Sequence, residues 1–202
     1  MRRLTGARDL LAIWNQDQLD GFGFKRLGSN IRLSQQASVY GAANIEIGDN
    51  VRIDDFCVLS AGAGGIAIGC NVHIAVHSTL MGAARIELHD FSGLSSRVST
   101  YSSTDDYSGE VLTNPTVDAQ FTGVRSEPVT LGRHVIVGTG SVILPGVTMH
   151  EGSAAGAMSL IRRDCDAFGI YAGIPARRIA ARSRRLLGLE EEFRKFRRTD
   201  GH

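Results

Sequence analysis

The sequence predicts a fold dominated by β-structure, a solenoid of short strands with a triangular cross-section, and three observations predict it. A large residue recurs every six positions: Ile47, Ile53 and Leu59, then Ile68, Ile74 and Leu80, then Leu88, Leu94 and Thr100, and finally Leu131, Val137, Ile143, Met149, Ala155 and Ile161. Four residues after many of these stands a small or medium one: Val51, Cys57, Val72, Val98, Val135, Ser141, Val147, Ser153, Ser159 and Cys165. Between the two, glycine or a polar residue recurs, as in Ile47-Gly48-Asp49-Asn50-Val51 and Leu131-Gly132-Arg133-His134-Val135. A helix would space its apolar residues by three and four, and a strand by two. Six is the length of one side of a triangle, so three hexads, about 18 residues, complete a coil.

The elements follow in order. Residues 1–30 are expected to form a helical cap, with Leu4, Leu10, Leu11, Ile13, Trp14 and Leu19 on a short helix that Gly21-Phe22-Gly23-Phe24 ends. A solenoid needs such a cap because an open end exposes core and strand edges. Residues 31–180 form the β-helix, with small interruptions at 62–65 and near Gly82. From Thr100 to Leu131 the register is lost for 31 residues, which predicts a loop over 101–128 thrown out of the coil. Tyr101, Tyr107 and Phe121 in that loop point to order against a neighbouring subunit. The basic run 176–185 leads into a C-terminal helix within 181–202, with Leu186, Leu187, Leu189, Phe193 and Phe196 as its apolar face. These arginines are expected on a solvated helix more than in a phosphate clamp.

A chain of 202 residues with net charge +1 fits one main domain and carries no electrostatic demand for nucleic acid or an acidic membrane. Cys57, Cys70 and Cys165 lack metal spacing and are expected as free thiols, which favours a reducing compartment. With no apolar run of about 18 residues and no charged-then-apolar leader, the expectation is a soluble cytoplasmic protein without membrane insertion.

The stretch from Val135 to Val147, with Gly138-Thr139-Gly140 at its centre, followed by Ala154-Ala155-Gly156-Ala157 and Ala172-Gly173-Ile174-Pro175-Ala176-Arg177, resembles the hexapeptide-repeat acyltransferases over roughly residues 30 to 180. The resemblance implies a left-handed parallel β-helix, a homotrimer, and acetyl transfer from acetyl-CoA in clefts between subunits. Gly93-Leu94-Ser95-Ser96-Arg97-Val98-Ser99 and the segment from Ser103 to Glu110 are similar to sugar acetyltransferases of surface-polysaccharide synthesis, which act on nucleotide-linked 4-amino-4,6-dideoxy sugars or on galactosides. Amine and hydroxyl acceptors both stay open.

For the donor, the resemblance implies Gly138, Thr139, Gly140 and Ala157 at the thioester and pantetheine, and Arg163 and Arg177 on the phosphates of CoA. For the acceptor, Asp105 stands where O-acetyltransferases of this kind carry a histidine. A carboxylate is a poor base at its ordinary pKa of about 3.9 but holds an ammonium well. Strand alternation turns His73 outward between Val72 and Ile74, and His77 follows near a corner, so both are candidates to take the proton. His89 and His134 fall at corner positions. No metal is expected in this reading. Two other classes share the frame: a zinc hydratase of the γ-carbonic anhydrase type, using His73, His77 and His89, and a non-catalytic scaffold.

Overall fold

The computed structural model describes residues 13–199. Three sheets of six, eight and six strands, parallel except for the last strand of the eight, form the walls of a β-helix of about seven turns. Every residue of the six-residue series points inward, and so does every smaller residue four places on. All 25 of these are at most 5% exposed. Stacked coils put like on like: Ile86 pairs with Ile66 and Leu88 with Ile68 on the first face, and Leu94 with Ile74 on the second. Each fully buried aliphatic side chain in that column contributes about 1.5–3 kcal/mol.

On the first face only the β-strand pairing at Thr130 and Thr148 measures a bare coil of 18 residues; Arg26 to Glu46, Glu46 to Ala67 and Ala67 to Glu87 span 20, 21 and 20. The extra residues all lie at the corner from the third face to the first, where they stack on one another. Gly62 is required there, because a Cβ on it would meet the Ala83 Cα at 2.6 Å. The long excursion leaves at this same corner. It differs from a plain loop: Ser103–Thr104 pairs antiparallel with Arg125–Ser126 and ties its base to the coil.

The two remaining corners turn through residues with positive φ. At the corner from the first face to the second these are Asn30, Asn50 and Asn71, then Phe91, His134, Gly152 and Phe168. Left-handed backbone costs a non-glycine residue about 1–2 kcal/mol, and asparagine tolerates it best. The Asn30 side-chain amide donates to Asn50 Oδ1 at 2.8 Å, so these corners are laddered. At the corner from the second face to the third the column is Phe56, His77, Arg97, Gly140 and Met158.

The ends depart from the sequence expectation in three ways. Of the helix expected over residues 1 to about 20, the described part is α1 (Gln16–Asp20), capped by reciprocal Asn15 and Gln18 hydrogen bonds, and residues 1–12 lie outside the described residues. The first face begins at Arg26–Leu27, within the stretch expected to be cap. Of the basic run, Arg177–Ala181 is a strand rather than part of a helix, because it pairs antiparallel with Gly169–Ala172 and closes the edge of the second face. Arg182 then donates to the carbonyls of His134 (2.7 Å) and Gly152 (3.0 Å), a clamp on the final corner.

The second helix, α2 (Arg185–Thr199), packs on the corner that carries His134. Glu190, its side chain 5% exposed, bonds Arg133, accepts from Arg194 Nε at 2.6 Å and lies 2.6 Å from His134 Nε2. Phe91 stacks on His134 and meets Phe193 edge-on. His134, expected at an open corner, is therefore covered. Among the described residues, no helix is long and apolar enough to cross a membrane.

Candidate active site

Alternation along the second face turns one residue per strand outward, and register stacks Arg32, Arg52, His73, Gly93, Ile136 and Ala154 in one column. Gly93 leaves a hollow in it. Neither packing nor backbone requires glycine at that position: φ is not positive, and the nearest atom to an added Cβ is the His73 carbonyl oxygen at 3.8 Å. The missing side chain opens a groove of about 280 Å³, lined by His73, Gly93, Ser95, Ser96, Ile136 and Thr139 among others.

His73 is oriented in this groove from the preceding coil. Its Nε2 lies 2.8 Å from Asp54 Oδ2, and Asp54 Oδ1 accepts from Arg52 Nε at 2.6 Å. Burial pushes the Asp54 carboxyl up, but the hydrogen bonds from His73 and Arg52 outweigh it, and the pKa lies below the ordinary carboxylate value. A carboxylate only accepts, so Nε2 carries the hydrogen, and Nδ1 is the ring nitrogen that can take up a proton. The hydroxyls of Ser95, Ser96 and Thr139 border the same space and can donate to an oxyanion.

Asp105 lies elsewhere. It lines a second cavity of about 520 Å³ between the excursion and the third face, and is the one ionisable group among the residues bordering it, with Met81, Pro115, Val117 and Val124 as apolar wall. His73 and Asp105 therefore do not share a cavity within one chain.

The glycines of the expected donor site have a structural cause. A Cβ on Gly138 would meet the Ala157 nitrogen at 2.4 Å, and Gly140 has φ +72°. Thr139 between them is exposed and borders the His73 groove, and Ala157 lies one coil beyond Gly138. Arg163 and Arg177 are both exposed, Arg163 beyond the last strand of the third face and Arg177 on the closing strand of the second.

His77 sits apart from the groove, at a corner with φ +62°, its ring stacked on Phe56 at 4.9 Å. His89 lies beside Glu87 at 3.7 Å. Among the described residues no three histidine, cysteine or acidic groups are placed to hold a metal, and His73, His77 and His89 occupy a face and two different corners. The residues that sequence reasoning did not single out are Asp54 and Arg52. The one available signal was an aspartate two places after the outward Arg52, one coil before an outward histidine.

No family model matches the chain. It is 49% identical over 184 residues, 91% of this chain and 96% of the relative, to dTDP-4-amino-4,6-dideoxy-D-glucose acyltransferase of Escherichia coli. The chain belongs to this acyltransferase family. Galactoside O-acetyltransferase of Escherichia coli K12 is 34% identical over 89 residues, 36% of this chain and 44% of its own. Among solved structures, an aspartate-to-alanine variant of AntD, an N-acyltransferase from Bacillus cereus, in complex with dTDP and coenzyme A superposes with a TM-score of 0.89 at 42% identity, covering 92% of this chain and 99% of that chain. Other AntD complexes hold dTDP-4-amino-4,6-dideoxyglucose with coenzyme A, or dTDP with 3-hydroxybutyryl-CoA. The acyltransferase frame therefore spans nearly the whole chain, and the groove and the Asp105 cavity both lie inside it.

Proposed function

We propose that this acyltransferase moves an acyl group from acyl-CoA to the amine of a dTDP-linked 4-amino-4,6-dideoxyhexose, as a soluble cytoplasmic homotrimer whose sites lie in the seams between copies. The observation that carries the acceptor assignment is Asp105, a lone carboxylate in a cavity with apolar walls. A 4-amino-4,6-dideoxy sugar offers what such a cavity recognises, an ammonium for the carboxylate and a methyl group for the wall. The relative from Escherichia coli and the AntD complexes support the same chemistry. The serine and the aspartate replaced in AntD variants stand ten positions apart in that protein, as Ser95 and Asp105 do here. Ser96 and Asp106 share the interval, but Asp106 is engaged within its own loop by Ser108 and Gly109.

The reaction needs no covalent enzyme intermediate. The ammonium gives up a proton, its nitrogen bonds to the thioester carbonyl carbon, and the resulting oxyanion is held by groove donors such as Ser95 and Thr139. Collapse breaks the carbon–sulfur bond, the nitrogen gives up its second proton and the departing thiolate takes up one, leaving an amide and free CoA. His73 Nδ1 is suited to carry the proton. Since His73 and Asp105 occupy different cavities of one chain, the reading joins His73 of one copy to Asp105 of the next. Gly138, Thr139, Gly140 and Ala157 are assigned to the thioester and pantetheine, Arg163 and Arg177 to the phosphates, and His77 lies outside the proton path.

The test is thiol release from acetyl-CoA and 3-hydroxybutyryl-CoA with dTDP-4-amino-4,6-dideoxyglucose or a free galactoside as acceptor. Release with the amino sugar alone is expected. Release with the galactoside alone would contradict the assignment.

A further inference from the structure

The outer surface of the prism is divided by its chemistry. The first face is ion-paired: Glu46 takes Lys25 and Arg85, and Glu87 takes Arg85 and His89. The outward positions of the third face, Ser38, Val58, Thr79, Ser99, Val142 and Leu160, carry no charge. Among the described residues no large apolar side chain is exposed on a strand of the first face, whereas Phe56 (50% exposed), Met158 (65%) and Ile174 (72%) all stand on the corner between the second and third faces. The corner on the other side of the second face is covered by α2, with Phe193 and Arg194 on Phe91. This one carries no helix. In register, one residue per coil, it reads Phe56, His77, Arg97, Gly140, Met158 and Ile174. The Phe56 and His77 rings stack on each other at 4.9 Å. Arg97 follows, exposed and without an ion pair among the described residues. Above it Gly140 leaves a gap that Met158 roofs, its sulfur 2.5 Å from where a Cβ would stand.

We propose that this corner lies on the axis of the trimer, and that three Arg97 guanidinium groups meeting there hold one inorganic oxyanion of the sulfate or phosphate type. The inference rests on the trimer reading above. A triangular prism that turns a corner to a threefold axis fills about 60° of the 120° open to it, so a cleft remains between the second face of one copy and the third face of the next. The excursion leaves from the far edge of that third face, with Asp105 in a cavity backed by Met81, and can close the cleft over the neighbour's His73 groove. Closed rotational symmetry sets each residue against its own copies at the same height. Phe56 therefore meets Phe56, Met158 meets Met158, and the exposed apolar groups are covered. Arg97 meets Arg97. The nearest carboxylate along the corner, Asp55, is two coils away, about 10 Å at the spacing of strands, and is engaged by Ser34. Three like charges between apolar layers are strongly unfavourable unless an anion joins them. A tetrahedral oxyanion on a threefold axis offers three equivalent oxygens, one for each guanidinium.

The test uses the full chain, unmodified and with Arg97→Asn or Phe56→Asn, since asparagine keeps the left-handed corner. At fixed ionic strength, bound sulfate is counted by equilibrium dialysis, melting followed by calorimetry and assembly by sedimentation. The unmodified protein is expected to bind one sulfate for every three chains and to melt about 2–4 °C higher for it. Arg97→Asn should bind none, and its melting should ignore sulfate. Phe56→Asn should raise at least tenfold the concentration at which the trimer dissociates. No bound sulfate, a count of one per chain, or equal binding by Arg97→Asn overturns the anion site. Unaltered association in Phe56→Asn overturns the axial placement. If the unmodified chain is a trimer and both variants behave as it does, this inference alone fails. If the unmodified chain is not a trimer, the trimer reading fails with it.

Discussion

Asp54 and His73 belong to successive coils, and their side chains meet with His73 Nε2 2.8 Å from Asp54 Oδ2. The contact engages Nε2 and leaves Nδ1 as the ring nitrogen that can take up a proton. His73→Ala is expected to lower kcat about 10²- to 10⁴-fold, the range of a general base. Asp54→Asn leaves the ring but removes the carboxylate that holds it, so a smaller fall of about tenfold is expected, with KM for acyl-CoA unchanged and the pH profile of kcat displaced. A merely structural Asp54 would lower stability without moving that profile.

Glu190 anchors α2, and its ionisation has a predictable consequence. Burial pushes the carboxyl up, but Arg194, His134 and Arg133 hold it at about 2, well below its ordinary value near 4.5. Its folded pKa is depressed, so its contribution is complete above about 4.5 and is lost as pH falls from there toward 2. Amide hydrogen exchange across α2 should accelerate through that window while the core strands stay protected. Glu190→Gln should already show the faster exchange at neutral pH and flatten the dependence.

Two glycines separate stacking from chemistry. Gly138→Ala forces a Cβ to within 2.4 Å of the Ala157 nitrogen, and a loss of about 1–3 kcal/mol is expected in denaturant melts. Gly93→Ala meets nothing closer than 3.8 Å and should hold stability within about 0.5 kcal/mol, yet it fills the hollow beside His73 and should reduce turnover. Equal turnover in Gly93→Ala would remove the groove from the reaction.

The coil was legible in the chain because each wall contributes one large and one small inward residue per turn. No other architecture keeps Ile47, Ile53 and Leu59 at the same depth. The excursion was legible as lost register, but the pairing of Ser103 and Thr104 with Ser126 and Arg125 was not, since two short polar strands carry no alternation of apolar residues. His73 could be turned outward by parity alone, whereas its bond to Asp54 crosses coils and depends on how the corner bends. The same holds for His134, which looks like an open turn until Glu190, 56 residues later, folds over it.

The central claim is that one active site takes His73 from one copy and Asp105 from its neighbour. Subunits carrying His73→Ala and subunits carrying Asp105→Asn, each inactive alone, are unfolded together, refolded as mixed assemblies and assayed for thiol release with the amino-sugar acceptor. A shared site predicts recovered activity, because some seams in a mixed assembly combine an intact His73 with an intact Asp105. Mixtures as inactive as either parent, with mixed assemblies verified by mass, would place both residues in the same chain's site and contradict the account.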